Sequence, residues 1–152
     1  MTTMVRFTTL FGTWVAPIEH VLAVRPSSVV QTLPAPARGV AGILDHEGAA
    51  VPVLSALGVG RRHVLVLQSG TTVAGLLVDE VTGVVEVGAD DVGPTPGGQR
   101  ADLVEGTVRE GDQMAYVLDV TEVLRQTQGE NFEKFEQIGQ TGTDDQAMER
   151  VS

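Results

Sequence analysis

The feature of this sequence that most limits its possible folds is a hairpin pattern that occurs twice. In the first copy, over residues 42–57, an apolar run, a polar turn with Gly48 and a second apolar run follow one another. The second copy, over residues 106–124, repeats this order with its turn at Gly111. A glycine-containing turn between two β-prone runs is typical of a β-hairpin, and we expect a short helix directly after each one. The repetition predicts two small β subdomains in one chain.

The rest of the sequence is also rich in short β-prone runs. We expect further strands within residues 4–8, 14–18, 21–24, 63–67, 71–79 and 83–87. The proline-rich stretches 33–37 and 93–98 are predicted to be extended or loop segments, because proline cannot donate to a β-ladder. A helix is expected near residues 120–128, with Gly129 as its stop. The predicted fold class is therefore all-β (mainly β) with short helices.

Composition narrows the possible functions. The length of 152 residues favours one domain or two very small ones that share an interface. A net charge of −10 disfavours binding to nucleic acid or to anionic lipid. The absence of cysteine excludes disulfides, thiolate catalysis and Cys-ligated zinc. No apolar run reaches the roughly 18 residues of a membrane span, and no leader pattern is evident, so we expect a cytoplasmic protein without membrane insertion.

The most site-like cluster is the run Asp45-His46-Glu47. A carboxylate and an imidazole together can bind a metal or transfer a proton. However, neighbouring side chains on a strand point in alternating directions, and a catalytic metal needs about three convergent ligands. We therefore interpret the run as a solvated hairpin tip.

Other motifs are weaker still. The run Gly58-Val59-Gly60 lacks the third glycine of a dinucleotide fingerprint and the ending of a P-loop. The acidic pairs Asp79-Glu80 and Asp90-Asp91 lack the spacing of a calcium loop. No serine lies in a Gly-x-Ser-x-Gly elbow. The sequence thus predicts no catalytic residue, no metal and no cofactor, and an enzymatic reading would need titratable residues that converge from distant positions.

The end of the chain, residues 126–152, differs in composition from the rest. Beyond Gly129 it is rich in Gln, Gly, Thr and acidic residues, and its large apolar side chains are Phe132, Phe135 and Ile138. Such a segment buries too little apolar surface to offset about 1–2 kcal/mol of backbone entropy per residue. We expect a mostly disordered acidic tail, in which the three apolar residues can form one helical turn that docks on the body or on a partner.

Taken in order, the elements of this chain resemble those of the CheW-like chemotaxis coupling proteins. The resemblance runs from about residue 4 to residue 125 and is carried by the order of six segments rather than by one specific motif. The segments are Phe7 with 14–24, 33–36, 39–43, Gly48 with 51–53, 75–84, and 117–124.

The resemblance implies two five-stranded SH3-like β barrels that share boundary strands and a core, over residues 4–125, without catalysis or cofactor. It also implies partners. Members of this family bridge the cytoplasmic hairpins of chemoreceptors to the regulatory domain of a CheA-type histidine kinase. The first barrel binds the kinase domain, and a groove between the barrels takes the receptor hairpin.

Site residues follow from the resemblance position by position. Val21, Ala23 and Val24 fall on the kinase-facing strand. Glu47, Ala50 and Val64 fall on the receptor groove. Exposed apolar side chains on a rim strand would form a binding patch, whereas alternation along the strand would bury about half of them in the core.

The chain also departs from the family pattern. Where family members usually carry Asn-Leu-Arg-Gly, this chain has Asp45-His46-Glu47-Gly48, so Glu47 replaces an arginine used in coupling. Ala23 replaces an acidic residue on the kinase-facing strand, and Ser55-Ala56 replaces Asp-Leu. A charge of the wrong sign against a partner can cost several kcal/mol.

Two functions remain open on this basis. The first is a chemosensory adaptor that couples receptors to a CheA-type kinase. The second is a divergent CheW-like interaction module in another signalling or assembly pathway.

Overall fold

The structure is a computed structural model that describes residues 1–34, 39–58, 62–95, 97 and 101–125. Within these ranges the chain forms eleven strands, four single-turn 3-10 helices and the helical residues 120–125, which we label α1. The strands are β1 Thr2–Thr9, β2 Gly12–Pro17, β3 Val21–Pro26, β4 Val40–His46, β5 Ala49–Leu54, β6 His63–Ser69, β7 Thr72–Val78, β8 Glu80–Val87, β9 Val92–Gly93, β10 Val104–Glu110 and β11 Gln113–Leu118. The 3-10 helices are Ile18–His20, Ser27–Val29, Ala89–Asp91 and Ala101–Leu103.

The strands form two sheets. The first has six strands in the order β8-β1-β2-β11-β10-β9, and the second has five in the order β3-β6-β7-β5-β4. Neighbours are antiparallel except for the pairs β11–β2 and β5–β7, which are parallel. In each sheet the chain beyond one end strand returns to the opposite end. After β3, Gln31 bridges to Ile43 of β4, and after β8, β9 pairs with β10. Each sheet therefore curls back on itself.

The two sheets repeat one topology. The hairpin β4–β5 of the second sheet corresponds to β10–β11 of the first, and both hairpins shift register at their first residues, between Val40 and Gly42 and between Val104 and Gly106. Likewise β6–β7 corresponds to β1–β2, and β3 corresponds to β8. The prediction of a β-rich chain with two similar β units is confirmed.

Some local expectations were wrong. The first hairpin is followed by a turn, closed by the Gly58 N–H donating to the Ser55 carbonyl oxygen at 3.0 Å, rather than by a helix. The first sheet also has a sixth strand, the two-residue β9. This strand was not predicted, because the proline-rich stretch 93–98 that begins there indicates a loop. The helix after the second hairpin is confirmed through residue 125. The predicted tail, 126–152, lies outside the described residues, and the predicted domain boundaries at 4 and 125 stay predictions.

Apolar side chains gather in three clusters. One lies within the first sheet, as Met4, Val15, Val87, Val108, Ala115 and Val117. A second lies within the second sheet, as Leu44, Val51, Val53, Val64, Val66 and Leu77. The largest joins residues of both sheets, including Phe7 and Trp14 from the first and Leu65 and Leu76 from the second. Because this shared cluster is buried only when the sheets are together, it holds them as one body.

Helix α1 closes the shared cluster. Val120, Val123 and Leu124 are all buried in it. The helix begins where the Asp119 carboxylate accepts a hydrogen bond from the Glu122 backbone N–H at 3.0 Å, as expected of an N-cap residue. The Thr121 hydroxyl lies 2.8 Å from the Ser69 hydroxyl at the tip of β6–β7. The start of α1 is therefore fixed to the second sheet.

Among the described residues, no helix is both long enough and apolar enough to cross a membrane.

Candidate docking surfaces

The first surface is the outer side of β3. Ile18, just before the strand, and Leu22 and Val24 within it each expose 43% of their surface. Pro26 at the end of the strand is also exposed. We call these four residues the β3 face. Large apolar side chains grouped in this way on a strand are typical of a surface that another protein covers.

The alternation of β3 explains why these side chains point outward. Val21 is half-buried and packs against the shared cluster, and Ala23 is half-buried against the cluster of the second sheet. Successive residues of a strand face opposite sides, so anchoring Val21 and Ala23 inward leaves Leu22 and Val24 in solvent. The strand pairs with β6 alone, and its other edge is unpaired by any described strand.

The second surface surrounds the β4–β5 turn. Glu47 and Gly48 both have positive φ, 52° and 89°. The Asp45 carboxylate accepts a hydrogen bond from the Gly48 N–H at 2.8 Å, and the Arg25 guanidinium donates to the Asp45 carbonyl oxygen at 3.3 Å. The turn is therefore built by Asp45, and the Glu47 side chain is exposed.

A shallow depression lies beside this turn. We call it the β5 depression. Ala50 is exposed on its wall, and its lining residues are Gln31, Ile43, Leu44, Asp45, Gly48 and Ala50. The small side chain of Ala50 leaves room for a partner side chain to approach the backbone.

The residues predicted from the sequence thus separate into two groups. Val24, Glu47 and Ala50 are exposed, whereas Val21 and Ala23 are half-buried and Val64 is fully buried at 0% exposure. Val64 lies on β6 directly opposite Arg25 of the neighbouring strand β3, and its side chain is buried in the cluster of the second sheet rather than on a surface.

Sequence reasoning missed Leu22 and Ile18. Strict alternation from a buried Val21 would have marked Leu22 and Val24 as the exposed pair. The apolar character of all four residues 21–24 hid that signal, because it does not distinguish one face from the other.

In the described part of the chain, no group of three or more His, Asp or Glu side chains is placed to hold a metal ion. His63 Nδ1 accepts a hydrogen bond from the Val81 backbone N–H at 3.0 Å, and His20 Nδ1 lies 2.9 Å from the Gln68 carbonyl oxygen. These two imidazoles thus join neighbouring backbone segments. A second depression, lined by Thr8, Arg62, Asp79 and Glu80, contains the exposed ion pair Arg62–Glu80 at 3.5 Å.

Glu105, at the register shift of β10, has a perturbed ionisation. Burial raises the pKa of its carboxyl from the ordinary 4.5, and the nearby charge of Asp119 raises it further. His20 opposes this rise and Glu19 adds to it slightly. The charges that act on this carboxyl belong to Asp119, just before α1, and to His20 and Glu19, just before β3.

Two curled sheets that share one core define an all-β fold of the SH3-like kind. A family model described as CheW-like domain matches residues 4–128. This chain belongs to the CheW-like family, whose members act as scaffolds or adaptors in chemotaxis.

A solved structure supports the fold. The crystal structure of the scaffolding protein TtCheW from Thermoanaerobacter tengcongensis superposes with a TM-score of 0.69 at 19% sequence identity. The match covers 78% of this chain and 84% of that one. No match was found among curated proteins.

Proposed function

We propose that this protein is a chemosensory adaptor that couples chemoreceptors to a CheA-type histidine kinase by docking to both. The observation that carries the proposal is the β3 face. Leu22 and Val24 are 43% exposed on a strand whose alternate side chains are anchored inward. Membership of the CheW-like family supports the same function.

The kinase regulatory domain would bind along the β3 face. Burying apolar surface yields about 25 cal/mol per Å², and a few well-placed side chains carry most of the energy of an interface. Leu22 and Val24 would be those side chains. Val21 and Ala23 anchor the other side of the strand in the core, and Val64 is buried on the neighbouring strand β6.

The receptor hairpin would bind near the β5 depression. Ala50 offers a small apolar wall, and Glu47 projects from the neighbouring turn. A helix that approaches here would need a basic or neutral side chain opposite Glu47, because like charges repel across an interface.

In this proposal the protein makes and breaks no covalent bond and needs no cofactor. It would work in the cytoplasm, at the membrane-associated arrays that its receptors form. Its action would consist of holding kinase and receptor in one geometry.

The direct test is a titration of the purified full chain with the kinase regulatory domain and, separately, with a receptor hairpin from the same organism. The proposal expects saturable 1:1 binding to each and a ternary complex when all three are mixed. Failure of both partners to bind would overturn it.

A second function is favoured by Glu47 and Ala23, which differ in charge from the usual family residues. These changes suit a divergent CheW-like module with another partner. Glu47→Arg separates the two candidates. For a conventional adaptor it should strengthen binding to a conventional kinase or receptor, whereas unchanged or weaker affinity, together with a different reproducible partner recovered from the host, would favour the divergent module.

A further inference from the structure

The β3 face is the densest exposed apolar patch of the described chain. Three of its eight exposed large apolar side chains, Ile18, Leu22 and Val24, lie within seven residues of one another. The remaining five are spread over other elements, as Met1, Leu10, Val84, Val92 and Met114. An apolar strand surface of this kind is costly to leave in water.

We propose that the carboxy-terminal segment 130–138 of this same chain covers the β3 face when no partner is bound. Phe132, Phe135 and Ile138 are spaced by three residues, so in a helix they share one side. Glu133 and Glu136 would lie on the adjoining side. The sequence thus encodes a short amphipathic element with one apolar side and one acidic side.

The helix α1, which precedes the segment in the chain, begins close to the β3 face. The Thr121 hydroxyl of α1 is 2.8 Å from that of Ser69, and the next residue of β6, Gln68, bonds through its carbonyl to His20 at 2.9 Å. His20 directly precedes β3. The start of α1 and the start of β3 are therefore neighbours on the second sheet.

The length of the chain is sufficient to reach the face. From Arg125, the last described residue, Phe132 is seven residues away, which spans up to about 25 Å when extended. From Phe132 to Ile138 a helix would rise about 9 Å. The β3 face from Leu22 to Pro26 extends about 13 Å. The apolar side of the segment therefore fits along the strand.

Charge favours the same pairing. Residues 126–152 contain six acidic and two basic side chains, a net charge of −4. On the body, Arg25 lies within β3, but it alternates with Val24 and Pro26 and therefore faces the other side of the strand, where it donates to the Asp45 carbonyl oxygen. Arg62 adjoins the end of β3, where its carbonyl oxygen accepts from the Ser27 N–H at 2.8 Å, and its ion pair with Glu80 is exposed and therefore weak. Glu133 and Glu136 would find the Arg62 guanidinium at the far end of the strand.

If the β3 face also binds the kinase, as the proposed function holds, the tail competes for it. A partner then binds only those molecules in which the tail does not cover the β3 face. The apparent dissociation constant of the partner equals the intrinsic constant divided by the fraction of such molecules. The tail would thus set the threshold for assembly.

The absence of cysteine makes a direct test simple. A nitroxide attached to Gln140→Cys in the full chain gives a single label beyond the docking segment. We expect loss of amide signal intensity at Leu22 and Val24 and retained intensity at Val84, which is exposed on the equivalent strand β8. Uniform retention, or loss centred on Val84, would overturn the proposal.

A matched pair of variants completes the experiment. The double variant Phe132→Ser, Phe135→Ser should restore the amide signal intensity of Leu22 and Val24. The control variant Met148→Ser, Val151→Ser removes two apolar tail residues outside the segment, and in it the two signals should stay broadened. Restoration by both pairs, or by neither, would contradict the model. Broadening that appears when labelled protein is mixed with isotope-enriched unlabelled protein would mean that the tail reaches a second copy, which also overturns docking within one chain.

Kinase binding then separates this inference from the proposed function. The Phe132→Ser, Phe135→Ser variant should bind the kinase regulatory domain about fivefold more tightly, the factor expected if the tail covers the face in about four molecules of five. If the label reports docking but neither form binds the kinase, the tail contact stands and the proposed function fails. If both forms bind equally and the label reports no contact, the inference fails and the proposed function stands.

Discussion

Gly42 and Gly106 occupy equivalent positions in the two sheets, and each lies so close to a backbone carbonyl oxygen that there is no room for a β-carbon. A β-carbon on Gly42 would lie 2.2 Å from the Gln31 oxygen, and one on Gly106 would lie 2.7 Å from the Gly93 oxygen. Each glycine stands at the register shift of its hairpin. The duplicated topology therefore depends on two glycines that let each sheet close.

Replacing either glycine should destabilise the fold. Both Gly42→Ala and Gly106→Ala force a backbone segment to move, and overpacking of this kind costs about 1–3 kcal/mol. We expect the larger loss for Gly42, whose contact is closer. Urea unfolding midpoints would measure both, with Gly97→Ala as control because nothing lies within 4 Å of that position. If both variants have the same urea midpoint as Gly97→Ala, the two glycines are not required for the sheets to close.

The side chains of Thr9 and Trp14 form a second internal constraint. The indole N–H of Trp14 donates to the Thr9 hydroxyl at 2.9 Å, and both residues are buried. The same hydroxyl oxygen accepts a hydrogen bond from the Phe11 backbone N–H at 3.0 Å. Thr9→Val removes the acceptor of both bonds and should cost about 1–3 kcal/mol for each donor left unsatisfied. Thr9→Ser keeps the hydroxyl and is the matched control. The fluorescence of Trp14, the single tryptophan, follows unfolding directly, and equal stability of the two variants would rule out this role for the bond.

The turn residue Glu47 should be replaceable with a gain in stability. Its φ of 52° is left-handed, which costs a residue with a β-carbon about 1–2 kcal/mol. Asparagine tolerates this region, and Asn-Gly is favoured in two-residue hairpin turns. Glu47→Asn should therefore raise the free energy of unfolding by up to about 1 kcal/mol, while Glu47→Ala should not. Thermal or urea unfolding of both variants decides the matter; identical midpoints would contradict the expectation.

Glu105 should make stability fall as the pH rises. Burial, and then Asp119, raise the pKa of its carboxyl in the folded protein above the ordinary 4.5. The folded state thus holds the proton to a higher pH than the unfolded chain does, and stability is lost as the pH rises through the raised pKa.

Glu105→Gln removes that loss. The variant should be more stable than the parent protein at neutral pH, and the difference should shrink below about pH 4, where the carboxyl is protonated in both states. Urea midpoints at the two pH values measure the effect, with Glu47→Gln as the control on an exposed turn. A difference that stays constant with pH would exclude the carboxyl as its source.

The sequence predicted the repeated hairpins because local signals specify them. The turns at Gly48 and Gly111 lie between strands adjacent in the chain, so turn chemistry and apolar patterning are enough. The parallel pairing of β5 with β7 and of β11 with β2 joins strands that are distant in sequence, and no local signal encodes it. The family resemblance supplied the expectation of two barrels, but these two pairings were not predicted.

The exposed residues of the β3 face were harder to predict than the fold. In β3 all of the residues 21–24 are apolar, and the side facing outward depends on which clusters Val21 and Ala23 enter. Those clusters contain side chains from other elements, which no local pattern fixes. Val64 was expected on the receptor groove, but its side chain is fully buried in the core. An apolar residue on a strand can face either the core or the surface, and its type alone does not decide which.

The central claim is that the β3 face is the docking surface for the kinase. The most direct measurement is a calorimetric titration of the kinase regulatory domain with the full chain and with Leu22→Asp and Val24→Asp variants. Val84→Asp places the same charge on the equivalent strand β8 and serves as control. We predict that each β3 variant weakens binding at least about tenfold, or about 1.4 kcal/mol, while Val84→Asp keeps the affinity of the parent protein. Equal affinities for all four proteins would contradict the account.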